Sequence, residues 1–175
     1  MVISCGFFAG ESIEAVIPES AEAIALESSS FETNGMIPAI YTCDGENVSP
    51  ELRWQGVPEN SQSLVLIMDD PDAPRGTFVH WVVYDIPPDV IGFVENRPME
   101  ESLAVGGLQG TNGFRRIGYG GPCPPSGTHR YLFKLYALDT ILGLPPRASK
   151  SDVVEAIDGH IVGFGELVGQ YARQQ

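Results

Sequence analysis

Two stiff polar turns and two histidines carry the residue types that could act on a ligand. Asp69-Asp70-Pro71-Asp72-Ala73-Pro74 delivers three carboxylates to the end of the apolar run Leu64-Val65-Leu66-Ile67-Met68. Proline fixes φ and removes a donor, so such a turn is stiff, and groups already held in place lose less freedom when a ligand arrives. Asp side chains in a tight turn also bond their own backbone amides. That plainer role is assigned to Asp69, whereas Asp70 and Asp72 are read as site residues. The second turn runs from Gly118 through Gly121-Pro122-Cys123-Pro124-Pro125 to Thr128 and is dense in Gly and Pro. Glycine lets backbone amides approach a ligand closely, and proline keeps a loop from pairing with itself. The turn matches neither GxxxxGK[ST] nor GxGxxG ahead of a helix, so it is not one of the familiar nucleotide cradles.

His80 lies within the run Phe78 to Ile86, with Phe78 and Val82 expected on its own face, and His129 opens the run Arg130 to Leu138. A lone strand histidine is ordinarily a hydrogen-bonded core residue. Here each is joined by a short loop to one of the polar turns, which makes the four segments candidates for one cavity. Imidazoles beside carboxylates tend toward raised pKa values, so the expectation is two imidazolium groups that, with Tyr131 and backbone amides, donate to an oxyanion. Asp70 and Asp72 would then orient and charge the histidines.

The elements that must position these groups read as short strands broken by Gly, Pro, Asn and Asp. The expected strands are 23–27, 37–42, 51–54, 63–69, 78–86, 92–95, 102–106 and 130–138. Runs 63–69 and 78–86 are apolar on both alternating faces, as for strands covered by two layers. The C-terminal part departs from this pattern. Val153, Val154, Ile157, Ile161, Phe164, Val168 and Tyr171 recur at three- and four-residue steps, which predicts helix. Ser149, Ser151 or Asp152 can cap its start. Gly159, Gly163, Gly165 and Gly169 each weaken a helix by ~1 kcal/mol relative to Ala, so two short helices are expected rather than one long one.

Ten basic residues against 23 acidic ones give a net charge of −13. Such a chain repels nucleic-acid backbones and anionic membranes at long range, and no run approaches the ~20 apolar residues of a membrane helix. The charge is uneven. Residues 1–52 contain no Lys or Arg, while nine of the ten basic residues lie between Arg53 and Lys150. The domain reading is an acidic N-terminal arm, 1–22, loosely attached to a folded domain, 23–175. Three cysteines, none in a CxxC pair, are too few for a disulfide scaffold or a cysteine zinc site, and a Cys43–Cys123 bridge is left open. Without a basic leader the protein reads as cytoplasmic, the alternative being export with a trimmed signal segment.

Taken in order, Asp70-Pro71-Asp72-Ala73-Pro74, His80 in its apolar strand, and Gly121-Pro122-Cys123-Pro124-Pro125 followed by Gly127-Thr128-His129-Arg130-Tyr131 resemble the phosphatidylethanolamine-binding protein (PEBP) family. The closer likeness is to its bacterial and archaeal branch, often labelled Raf-kinase-inhibitor-like. Tyr41-Thr42-Cys43-Asp44-Gly45, Ser49-Pro50 and Leu52-x-Trp54 fit the same branch, and the match runs from about residue 24 to 173. The resemblance implies a mainly β fold, a Greek-key antiparallel β-sandwich with short peripheral and C-terminal helices. It also implies a small pocket for a phosphate-like anion or phospholipid head group. Carried over residue by residue, the pocket is lined by Asp70, Asp72, Pro74, Phe78, His80, Gly121, Cys123, Pro124, His129 and Tyr131. The implied protein is a binder and not an enzyme, without cofactor. Its partners would be a small anion, a regulatory protein such as a kinase or protease, or a second copy in a homodimer.

Two enzymatic alternatives use the same residues. Asp70, Asp72, His80 and His129 form a two-His, two-carboxylate set suited to zinc or non-haem iron. Cys123 with His129 could form a nucleophile pair, but Pro124 removes the following amide that an oxyanion hole would use.

Overall fold

The computed structural model describes residues 13–173. Among the described residues nine strands form two packed sheets. The larger has the order β1-β9-β8-β4-β5-β7 and the smaller β2-β3-β6. β1 (Glu22–Ala23) pairs in parallel with β9 (Ile161–Ala172), and the other pairings are antiparallel. The smaller sheet consists of β2 (Ala25–Glu27), β3 (Leu52–Gln55) and β6 (Gly92–Phe93). The centre of the larger one is β4 (Ser63–Asp70), flanked by β5 (Phe78–Ile86) and β8 (Thr128–Leu138), with β7 (Leu108–Gln109) at its edge.

β4 is buried along its whole length, which is why its sequence is apolar without alternation. Leu64, Leu66 and Met68 face the smaller sheet, joined there by Trp54, Trp81, Phe93, Tyr131 and Phe133. Val65 and Ile67 face the opposite way and pack with Val82, Tyr84, Tyr136 and Leu138 under the helix α1 (Lys150–Ile157). Ser149 caps that helix in a reciprocal box with Asp152, which satisfies two of the N–H groups a helix start leaves free.

Several expected elements differ. Residues 37–42 form no strand; Ala39–Tyr41 is a single 3-10 turn. Residues 102–106 are a loop, and only Ser102 makes an isolated bridge, to Leu108. The second C-terminal helix is instead β9, a strand of 12 residues whose inward positions alternate from Ile161 through Leu167 to Tyr171. Its glycines mark the reason. A Cβ at Gly165 would lie 2.3 Å from the Ile24 carbonyl oxygen, and one at Gly169 would lie 2.6 Å from Ile37. Glycine at these steps admits the close approach of those two segments, whereas apolar residues at mixed spacing mimicked a helix.

Cys43 and Cys123 are bridged, with Cα atoms 5.4 Å apart and a sequence separation of 80. In the chain-entropy account a cross-link of that span stabilises the fold by about 4 kcal/mol. It also ties the loop after the 3-10 turn to the Gly/Pro-rich turn. Within the expected N-terminal arm, residues 1–12 lie outside the described residues, and Glu14 reaches Lys134 and Lys150 at 2.8 and 2.6 Å. Among the described residues no helix is long and apolar enough to cross a membrane.

Candidate functional site

The end of β4 carries two consecutive aspartates to opposite faces of the sheet. Asp70 continues the face of Met68, and Asp69 that of Ile67. The Asp70 Oδ1 accepts the Asp72 amide at 2.9 Å, so Asp70 shapes its own turn. Its Oδ2 is 2.7 Å from the Nδ1 of His129, and both side chains are almost wholly buried. A carboxylate accepts only, so His129 donates from Nδ1 and turns Nε2 away from Asp70.

His80 reaches the same face through a β-bulge. Met68 pairs with Trp81 and Asp69 with Val79, which leaves His80 as the extra residue in β5. A bulge of this kind re-aims a side chain. Val82, expected beside it, lies on the α1 side instead. The His80 ring lies edge-on to Phe78, Tyr131 and Phe114, with centroids 5.1, 5.2 and 5.6 Å away. Its Nδ1 is 2.6 Å from the Gly120 carbonyl oxygen. Burial pushes the His80 pKa below its ordinary value, outweighing the opposing pull of Asp70 and Asp69. The expected imidazolium at this position is therefore corrected to a neutral ring, because the bulge seats it among aromatics away from water. A neutral ring donating from Nδ1 presents Nε2 as an acceptor.

Tyr131 stands two residues from His129 on one face of β8 and against His80. It is fully buried, and its hydroxyl has no hydrogen-bond partner. Desolvation, with the Asp70 charge nearby, raises its pKa far above the ordinary phenol value. The Asp70 carboxylate and the Cys123 backbone act on it electrostatically, but neither completes a bond of good geometry. A buried donor without a partner is uncommon and calls for an explanation.

The remaining expected residues divide. Gly121 and Cys123 line a cavity of about 260 Å³ beside the His80 wall, with Phe114, Asn112, Tyr119 and Arg116. The Gly121 amide donates to Asn47 Oδ1 at 2.8 Å, which fixes that rim. Pro124 is buried and Phe78 half-buried, while Pro74 is exposed on the turn. Asp72 is drawn off: its Oδ1 accepts from Arg130 Nη2 at 2.8 Å, and its Oδ2 accepts from Arg130 Nε and N at 3.0 and 2.9 Å. The Arg130 guanidinium and amide hold the Asp72 carboxyl down at about 2. With Asp72 committed to Arg130 and His80 Nδ1 to Gly120, the two-His, two-carboxylate set is not assembled. Among the described residues no three His, Cys, Asp or Glu side chains are grouped to hold a metal ion.

The turn-bonding role expected of Asp69 falls to Asp70 instead, and Asp69 bonds lysines. Its Oδ2 is 2.8 Å from Lys150 and 3.3 Å from Lys134, and Glu14 binds the same two ammonium groups. The sequence reading also missed Phe114 and Asn112. The Asn112 Oδ1 accepts the amides of Phe114 and Arg116, and its Nδ2 donates to Gly118. The signal was present as Asn112-Gly113, a dipeptide that marks tight turns.

The phosphatidylethanolamine-binding protein family model matches residues 27–172. A UPF0098 protein of Methanothermobacter thermautotrophicus is 55% identical over 148 residues, spanning 85% of this chain and 98% of its own. One from Aquifex aeolicus is 51% identical, spanning 83% and 86%. A crystal structure of a PEBP homologue from Chlamydia trachomatis superposes with a TM-score of 0.81 at 38% identity, covering 88% of this chain and all of that one. Escherichia coli YbcL, described as a member of the mammalian PEBP family, superposes at 0.80 with 30% identity, covering 86% and 99%. With the strand order, the buried Asp70–His129 pair and the Gly/Pro rim in place, these likenesses establish that the chain belongs to the phosphatidylethanolamine-binding protein family.

Proposed function

We propose that this protein binds a small protonated oxyanion of the phosphate type, free or as a phosphomonoester head group, at the cluster of Asp70, His80, His129 and Tyr131. The observation that carries the reading is the orphaned Tyr131 hydroxyl, a buried donor packed against the His80 ring and two residues along β8 from His129. An oxyanion oxygen beside it supplies the missing acceptor, and His129, oriented by Asp70, donates from Nε2 when protonated. A neutral His80 offers an acceptor, which suits a ligand that carries its own proton. The phosphate monoanion has that proton, and sulfate does not. The cavity bordered by Gly121, Cys123 and Phe114 is the approach.

Calorimetric titration with a phosphomonoester at about pH 5.5 and about pH 8 tests this, because the second phosphate proton titrates between those values. The expected result is binding about tenfold or more weaker at the higher pH, with sulfate weaker than phosphate at the lower one. Equal affinity at both pH values overturns the reading.

A further inference from the structure

Beside the 260 Å³ cavity lies a second cleft of about 270 Å³, lined by Met99, Thr111, Arg115, Arg116, Ile117 and Arg147. Met99 and Arg116 belong to both, so the two spaces adjoin. The protein has ten basic residues and a net charge of −13, yet three arginines converge here. Among the described residues Arg115 and Arg116 form no ion pair. Arg147 pairs with Glu101 at 2.8 Å, but both side chains are more than half exposed, and an exposed pair of this kind yields readily to a better-placed anion.

The backbone supplies an independent observation. Six non-glycine residues among those described have positive φ, and four of them are Asn or Asp, which tolerate the left-handed region. The other two are Arg115, at φ 61°, and Arg147, at φ 70°. For long side chains this conformation is strained, and such strain gathers where a side chain must be aimed at a ligand. Both positions are locked. The Arg115 amide donates to the Asn112 carbonyl, and the Arg147 amide to the carbonyl of Gln109, while Thr111 Oγ1 donates to the Arg147 carbonyl. Gln109 is wholly buried and bonded to Trp81, Pro98 and Glu100. The guanidinium groups thus spring from core-anchored backbone, which reduces the ordering cost of holding an anion.

We infer that this cleft is a second anion subsite, and that the ligand is a small molecule with two phosphate-type groups: one at the Tyr131 cluster, the other on Arg115, Arg116 and Arg147. Bidentate guanidinium contacts suit a phosphate oxygen pair, and the aromatic wall of Phe114 and Tyr119 suits an apolar linker between the two charges. This placement of the inner group rests on the function proposed above; the arginine subsite itself does not.

The test is a calorimetric series of alkane-α,ω-diyl bisphosphates with graded spacers, each against the hydroxyalkyl monophosphate of the same length. Native protein, the R115Q/R147Q double variant and R53Q, an arginine on the smaller sheet, are compared. The expected result is a bisphosphate advantage of about tenfold at one spacer length. That advantage disappears in R115Q/R147Q and persists in R53Q, with monophosphate affinity unchanged. If monophosphates bind but no spacer gives an advantage, or if R115Q/R147Q retains it, the subsite is overturned while the inner site stands. If monophosphates fail to bind, the inner site falls. Bisphosphate binding lost in R115Q/R147Q then supports the arginine cleft alone, and its absence or insensitivity to that variant overturns the cleft too. Unchanged far-UV circular dichroism and thermal midpoint in R115Q/R147Q establish that the variant is folded.

Discussion

Asp69 and Asp70 are neighbours in the chain and opposites in circumstance. Asp69 faces the α1 side, where Lys134, Lys150 and Glu14 surround it and two positive charges meet two negative ones. Asp70 faces the smaller sheet, where it has one histidine partner and lies near a phenol with no partner at all. Each of the two clusters contains an unbonded buried atom, the Asp69 Oδ1 in one and the Tyr131 hydroxyl in the other. The Asp69 oxygen belongs to an ion already neutralised by two ammonium groups, so little is left for a ligand to supply. The Tyr131 hydroxyl is a donor beside groups that attract an acceptor. A balanced buried charge cluster stabilises the molecule. The one left short of a partner is the site proposed above for the ligand.

The sharpest way to break this contrast is to neutralise each acid in turn. Asp69→Asn leaves two buried lysines with Glu14 alone, and removing one partner of a buried ion set costs roughly 3–5 kcal/mol. The expected outcome in urea unfolding is a large drop in midpoint with phosphate affinity retained. Asp70→Asn should cost less, about 1–3 kcal/mol, since it weakens one hydrogen-bonded pair, but it should abolish phosphate binding. If Asp69→Asn proves the milder change, the contrast fails.

Tyr131→Phe separates stability from binding more finely. Deleting a hydroxyl that has no partner removes a desolvated group without breaking a bond, so stability should hold or rise by up to about 1 kcal/mol. Affinity for phosphate should fall by about tenfold. A stability loss of several kcal/mol would mean that the hydroxyl is bonded in the free protein.

The smallest expected effect concerns acid titration. Asp72 has its folded pKa depressed to about 2 by Arg130, so its contribution is present above the unfolded value and is lost as pH falls through that range. The pair is partly exposed, and the contribution should stay below about 1 kcal/mol. His80 is a base whose folded pKa is lowered. Its unfolded form gains a proton first, so stability declines as pH falls below the ordinary histidine value. Urea midpoints followed downward from neutrality should show the His80 loss first and the Asp72 loss later. Arg130→Gln should flatten only the later one.

Much of the scaffold was legible in the residues. The unbroken apolar run of β4 demanded two covering layers, and period-two alternation in β8 sets Tyr131, Phe133, Leu135 and Ala137 on one face. α1 followed from its spacing and cap. β9 misled because its inward glycines left only scattered apolar residues, and their spacing imitated a helical stripe. The need for those glycines lies in distant segments, at Ile24 and Ile37, where a sequence window does not look.

By itself the sequence determined that stiff acidic and Gly/Pro-rich turns end buried strands, and that two histidines accompany them, because proline, glycine and apolar runs act locally. Which way each group points was decided only in three dimensions. A one-residue bulge carried His80 onto the Asp70 face, Arg130 withdrew Asp72, and the parity of β4 sent Asp69 to the lysines. Side-chain direction in a sheet reverses with every residue, so facing depends on register between strands, and register is a property of the assembled fold.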